Sequence, residues 1–256
     1  MIRLASFNVN SVRKRAPHIL RFLERVQPDV LFLQELKCKT EEFPALELAA
    51  SGYRMQAVGQ QGGRNGVAVL ARIPFDIVAE SLPGDDSDGQ ARYIEVRAAG
   101  LNLVGIYLPN GNSGGEEGYA YKLNWMARLR SLAADRLDTF TPLAILGDFN
   151  VAPTEHDLAP GTLPPTDALV RPETRAAWRA LENLGLTDAL RALHPQERLY
   201  TYWDYGSAFE RNAGLRIDHA LLSADLAERL VAVRVDVVPR AEETPSDHTP
   251  LVIELA

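Results

Sequence analysis

Asp148 and Asn150 stand two residues apart, directly after the apolar run Leu143-Ala144-Ile145-Leu146 and Gly147. In extended backbone that spacing aims both side chains the same way, so a buried strand would deliver a carboxylate and an amide to one side. The pattern recurs: Asn8, Glu35, Tyr107, Asp218 and the pair Asp247-His248 each stand in or beside a short apolar run. One polar residue at a strand end is ordinary, because turns favour Asp and Asn. So many together, nearly all hard oxygen donors with one imidazole, ask for a shared partner, since a buried unpaired polar group costs about 1–3 kcal/mol. A divalent cation and an anionic substrate would satisfy many of them at once. Carboxylate and amide oxygens suit Mg²⁺ or Mn²⁺, whereas zinc would want more than five scattered His and one Cys.

The chemistry that needs these parts is phosphoester hydrolysis. A phosphodiester repels hydroxide and has a poor leaving alkoxide, so a cation must polarise it while a carboxylate orients and deprotonates water. Hydrogen-bonding or cationic groups must then meet the charge that grows on the non-bridging oxygens. An imidazole held by a carboxylate does this well, because the carboxylate fixes its tautomer and favours the protonated form. Asp247 and His248 are adjacent and face opposite ways on extended backbone, so they would do different jobs. The carboxylate orienting His248 must come from another strand, and Asp218 is the natural candidate.

The elements that would position these residues can be read from period and punctuation. Residues 2–9 alternate as a strand ending near Asn8, and Pro17 opens a helix with Ile19, Leu20, Leu23 and Val26 on its apolar face. A second strand, Val30 to Leu33, runs out at Glu35. Residues 43–51 read as a short helix, 53–58 and 67–71 as strands around the turn at 62–66, and 92–97 and 101–108 as further strands. The acidic loop 84–89 lacks the spacing and terminal Glu of a calcium loop and reads as a solvated hairpin tip. Tyr119, Leu123, Met126, Leu129 and Leu132 space out the core face of a long helix. After the Pro-rich loop 151–172 come helices at 173–184 and 187–193, an aromatic run at 200–205, and strands at 216–222, 231–237 and 251–255. Val231, Val233, Val235 and Val237 alternate strictly, predicting one buried face. Many strands interleaved with few helices predict an α/β protein of two packed sheets with helices outside, as one domain over 1–256.

The bulk numbers bound the alternatives. A net charge of −7 argues against a simple electrostatic nucleic-acid binder, although clustered metal-binding carboxylates make a chain acidic while sparing a basic groove. The single cysteine, Cys38, can form no internal bridge, which fits a reducing cytoplasm. No apolar segment of about 18 residues predicts a membrane span, and the N-terminus lacks the layout of a signal peptide.

Six blocks carry a family resemblance: Ser6-Phe7-Asn8-Val9-Asn10, Leu33-Gln34-Glu35-Leu36-Lys37, Gly105-Ile106-Tyr107-Leu108-Pro109-Asn110, Gly147-Asp148-Phe149-Asn150, Gly214-Leu215-Arg216-Ile217-Asp218 and Pro245-Ser246-Asp247-His248. In this order they resemble the exonuclease III family of apurinic/apyrimidinic endonucleases, within the endonuclease/exonuclease/phosphatase superfamily. The resemblance implies a four-layered α/β sandwich of DNase I type, two mixed β-sheets face to face with helices outside. It implies a Mg²⁺-dependent monomer (Mn²⁺ also supporting activity) that acts in the cytoplasm on double-stranded DNA. The enzyme would cut 5′ to abasic sites, leaving a 3′-hydroxyl, and clean blocked 3′ ends. Carried over by position, Glu35 would ligate the metal with Asp247, Asn8 and Asn10 around it. Asp148 would activate water, Asn150 and Tyr107 would bind the scissile phosphate, and His248 with Asp218 would stabilise the transition state. Tyr202, Trp203, Leu215 and Ile217 would form the cup for a sugar lacking its base, with Asn110, Arg216 and Lys37 beside the DNA. Such a cup fits the physics of extrusion, because a missing base is cheap to flip and a tight pocket excludes normal nucleotides.

Departures from the family pattern are few. Leu36 stands where relatives often carry Thr, and Leu215 is smaller than the Trp of some members. The balance between endonuclease and 3′-to-5′ exonuclease is open at this level. The rivals are another superfamily phosphodiesterase, of inositol-phosphate or sphingomyelin type, and a non-catalytic binding module on a decayed nuclease fold.

Overall fold

Continuous apolar runs bounded by turn residues become strands buried on both faces, and here they stack into two six-stranded sheets. The computed structural model describes residues 1–256. In the first sheet, β1 (Ile2–Asn8) and β2 (Val30–Gln34) run parallel, flanked by antiparallel β3 (Arg54–Val58) and β4 (Val67–Ala71) on one side. The second sheet holds β5 (Phe75–Ala79), β6 (Tyr93–Ala98), β7 (Leu101–Tyr107), β8 (Leu143–Asp148), β9 (Thr187–Asp188) and β10 (Asp218–Leu222), in the order β5-β6-β7-β8-β10-β9. Strands β11 (Leu230–Val235) and β12 (Leu251–Leu255) return to complete the first, in the order β11-β12-β1-β2-β4-β3. Each sheet thus has one parallel pair, β1/β2 and β7/β8, among antiparallel neighbours.

Alternation divides every central strand between two cores. Leu4, Phe32, Val67 and Val69 of the first sheet meet Ile94, Leu103, Leu146 and Ala220 of the second in the layer between them. Their neighbours Phe7, Leu31 and Leu33 face outward, where Ile19, Phe22 and Leu23 of helix α1 (Val12–Val26) cover them. On the other side Val104, Ile106 and Ile145 are covered by Trp125, Met126 and Leu129 of α3 (Gly115–Leu137) and by Trp178 and Leu181 of α4 (Pro172–Glu182). Short helices α2 (Ala45–Ala49), α5 (Ala189–Leu193) and α6 (Ala224–Glu228) sit at the periphery. The two sheets approach closely at Gly105, where a Cβ would lie 2.2 Å from the Phe32 ring.

Several expectations shift in detail. Helix α1 begins at Val12, with Pro17 inside it. The Ser11 and Val12 N–H groups donate to the carbonyls of Glu35 and Leu36, so the loop leaving β2 fixes the helix start and Pro17 forgoes only one later bond. The buried face of α3 carries Lys122 and Trp125, leaving Leu123 half-buried. The segment 187–193 splits into β9 and α5 because the Asp188 carboxylate caps the helix, accepting from Leu190 N at 3.1 Å and Arg191 N at 3.3 Å. In β11, an edge strand with a register shift between Leu230 and Ala232, only Val233 is buried, and Val231 stays 52% exposed. At the acidic tip, Asp88 is tied down by Arg128 at 2.8 Å and by Tyr121.

Candidate active site

Parallel pairing brings the site together. Because β1 and β2 run the same way, Asn8 lies beside Gln34 and the chain exits at one sheet edge, with Glu35 at φ 52°. In the second sheet Tyr107 lies beside Asp148, and antiparallel β10 starts where β8 ends, with Asp218 opposite Asp148. The segment before β12 adds Asp247 and His248. Two sheets stacked face to face therefore present all these strand ends along one rim.

The side chains form a connected set. Asn8 Nδ2 donates both hydrogens to carboxylates, to Glu35 Oε1 and to Asp148 Oδ2, each at 2.9 Å. Asp148 Oδ1 accepts from the Asn150 backbone N–H at 2.9 Å, so the turn that follows the strand fixes its rotation. Opposite, His248 Nδ1 is 2.8 Å from Asp218 Oδ2 and its Nε2 is 3.7 Å from Asp148 Oδ2. Asn10 Nδ2 donates to Asp247 Oδ1 at 2.9 Å and to the Tyr205 hydroxyl at 2.8 Å, and Lys37 Nζ lies 2.9 Å from Glu35 Oε2. Asn110 Nδ2 donates to Asn150 Oδ1 at 2.9 Å. Asp247 and His248 do face different partners, Asn10 and Asp218, as alternation requires.

Charge states follow from these neighbours. Burial works against a charged His248, but Asp218 and then Asp148 outweigh it and lift the imidazole to about 10. Burial raises Asp148 to about 7, opposed by His248 and assisted by the Asp218 and Glu35 carboxylates. Burial also opposes the charge on Glu35, yet Lys37 and the Asn8 amide hold it below its ordinary range. Burial, then Glu35 and Asp148, push Tyr107 well upward, so its hydroxyl remains a donor. The ligand atoms of Glu35, Asp148 and His248 lie within 4.8 Å of one another, close enough to surround one ion. A protonated imidazole does not ligate, so the carboxylate oxygens are the part that fits a cation, and hard oxygens fit a hard one.

A cleft of about 270 Å³ opens beside this set. Its polar wall holds Glu35, Tyr107, Asn110, Asp148, Asn150, Asp247 and His248, and its apolar wall Tyr202, Leu215 and Ile217. Two expectations need correction. Trp203 does not line the cleft: it is 3% exposed, packed edge-on against Tyr200 and Phe209, with Nε1 on Asn212. Arg216 does not reach a DNA surface either: it is 1% exposed, with Nε 2.6 Å from Asp157 and Nη1 2.7 Å from Asp188. The cause is the same in both. In extended backbone Trp203 points away from Tyr202, and Arg216 away from Leu215 and Ile217. Asn8, Asn10 and Lys37 join the cluster through the bonds above. Leu163, Leu169, Asn112 and Asp167 also line the cleft, brought in by the 151–172 loop and the turn after β7. Period and spacing gave no sign of these loop residues. Lys122, buried behind the cleft, did carry a signal: a cation three residues from Tyr119 on an otherwise apolar stripe.

Stacked mixed sheets with a carboxylate, amide and imidazole cluster at one rim define a class, the metal-assisted phosphoesterases. A family model described as "Endonuclease/Exonuclease/phosphatase family" matches residues 5–248. The chain belongs to that family, in its exonuclease III branch. It is 35% identical over 266 residues to exodeoxyribonuclease III of Haemophilus influenzae, with 99% of each chain covered. The solved structure of the 3′ phosphatase NExo from Neisseria, bound to product DNA hairpin, matches with a TM-score of 0.94 and 37% identity over 100% of both chains. An AP endonuclease from Archaeoglobus fulgidus matches with a TM-score of 0.93 and 35% identity, covering 100% of this chain and 99% of that one.

Proposed function

We propose that this chain is a Mg²⁺-dependent DNA-repair phosphodiesterase that hydrolyses the backbone 5′ to abasic sites and trims blocked 3′ ends. The observation that carries the reading is the bridged arrangement around Asp148. Asn8 ties it to Glu35 on one side, and the Asp218–His248 pair stands 3.7 Å away on the other. Bound beside Glu35, Mg²⁺ would polarise the scissile phosphate and stabilise the leaving 3′-alkoxide.

The protein's own groups have distinct tasks in this reading. Asp148, lifted toward neutrality, takes a proton from the attacking water. The cationic His248 Nε2 faces the same space and meets charge growing on the phosphate, while Asp218 fixes the ring by its Nδ1. Asn150 and Tyr107 donate to non-bridging oxygens. Asp247 and Asn10 complete the surroundings of the cation, with Lys37 countering Glu35 until it binds. Tyr202, Leu215 and Ile217 give an apolar wall suited to a sugar without its base. The enzyme works on double-stranded DNA as a monomer in the cytoplasm. No helix is long and apolar enough to cross a membrane.

The test is cleavage of a duplex carrying one abasic analogue, with Mg²⁺ and with chelator, beside a nicked duplex ending in a 3′ phosphate. Mg²⁺-dependent incision 5′ to the lesion is expected. An intact duplex together with hydrolysis of phosphoinositides would overturn the reading in favour of another phosphodiesterase.

A further inference from the structure

Behind the cleft one buried lysine, lowered to about 7 by burial against the pull of Asp148 and Asp167, takes no part in the water-activating or imidazole side of the site. Lys122 on α3 is fully buried, and its Nζ donates to the backbone carbonyls of Asn110 at 3.0 Å and Asn150 at 2.6 Å. Those carbonyls belong to different loops, one leaving β7 and one leaving β8, and the same two residues are joined through their side-chain amides. The result is a closed ring of one ammonium, two carbonyls and two amides. Within it Asn110 Nδ2 spends a hydrogen on Asn150 Oδ1, and Asn150 Nδ2 spends one on the Leu108 carbonyl at 2.9 Å. Each amide keeps a second hydrogen free for the cleft that both residues line.

The surroundings are shaped to admit this lysine. Gly111 has φ +87°, and a Cβ there would lie 2.7 Å from Lys122 Cδ. Burying an ammonium is expensive, and a chain needing only packing would fill the space with an apolar side chain.

We propose that Lys122 is a positioning residue for the phosphate-binding amides. By holding the two carbonyls it sets Asn110 and Asn150 in one fixed orientation toward the scissile phosphate. The proposal rests on the phosphodiesterase reading above, and its test keeps the two apart.

Lys122→Met and Lys122→Arg are compared with the parent in single-turnover cleavage of an abasic duplex, in binding of that duplex under chelation, and in side-chain amide hydrogen exchange. Arginine keeps a basic donor, but its longer, planar head cannot occupy the place of the compact amine between the two carbonyls. Both folded variants should bind DNA within about threefold of the parent while cleaving about 10²-fold more slowly, the cost of a small misplacement of a stabilising donor. In an Asn150→Ala background Lys122→Met should add less than about threefold, because the group it positions is already gone. Exchange at the Asn110 and Asn150 side-chain amides should quicken in both variants. Should Lys122→Met not fold, Lys122→Arg carries the same comparisons. A folded variant that cleaves at the parent rate, or a loss that multiplies in full with Asn150→Ala, would overturn the proposal. If the parent itself leaves the abasic duplex uncut, the functional reading fails and amide exchange alone decides: unchanged protection in the variants rejects the positioning role.

Discussion

At the scale of single residues, the site separates two buried carboxylates by their partners. Asp148 faces a cationic imidazole and another carboxylate, and Asp218 is bound to that imidazole. In the proposed mechanism Asp148→Asn keeps the shape and removes the base. Single-turnover cleavage should fall about 10²–10⁴-fold while gel-shift affinity for abasic DNA is retained. Glu35→Ala should raise the Mg²⁺ concentration for half-maximal activity about 10-fold or more, measured by titrating Mg²⁺. An unchanged titration would remove Glu35 from the cation site. The sequence yielded much at this scale. Alternation splits Asp247 from His248 and sends the search for an orienting carboxylate to another strand, and the structure puts Asp218 there, 2.8 Å from the ring. Trp203 and Arg216 were misassigned because motif position outweighed the same alternation, which sends them behind the cleft wall. Leu163 and Asp167 are not legible because they stand on a loop whose course no local period encodes, whereas Lys122 is marked by its place on the apolar stripe of α3.

At the scale of elements, the strands were legible because each is a short apolar run ended by a turn residue. The pairing was not, since nothing in β1 or β12 announces that residues at opposite ends of the chain will share a ladder. Gly105 illustrates how tightly the pairing is specified. It sits mid-strand in β7 with the Phe32 ring of the other sheet where its side chain would be. Gly105→Ala must push the sheets apart or turn Phe32 off its rotamer, at about 1–3 kcal/mol. Urea unfolding should show that loss in the midpoint with an unchanged slope, and a parent-like midpoint would mean that the sheets slide freely at this point. The short edge strand β11 shows the reverse situation. Its strict Val alternation predicted a buried face, yet edge position and a register shift leave most of that face in water.

At the scale of the whole molecule, the net charge of −7 conceals a buried ionic network that braces the cleft wall from behind. Burial alone would raise Asp157, but Arg216, at 2.6 Å, and then Arg191 hold it well below the usual carboxylate range. A group with a depressed folded value adds stability above its unfolded value, near pH 4, and loses it as pH falls further. At neutral pH Asp157→Asn leaves Arg216 without one of its two carboxylates and should cost about 3–5 kcal/mol. The gap in melting temperature between parent and variant should hold from pH 6 to about pH 4 and narrow as pH falls below about 4. A gap that stays constant would show that packing, rather than charge, holds Arg216.

The position of β12 between β1 and β11 has a temporal consequence. β12 fills the place beside β1, and Asp247 and His248, just before it in the chain, are translated after β1 to β11. Glu35, Asp148 and Asp218 are all translated earlier, so the cluster has no imidazole until then. The two ends of the chain thus meet at the cluster: Asn8 and Asn10 are its first residues to be made, and Asp247 and His248 its last.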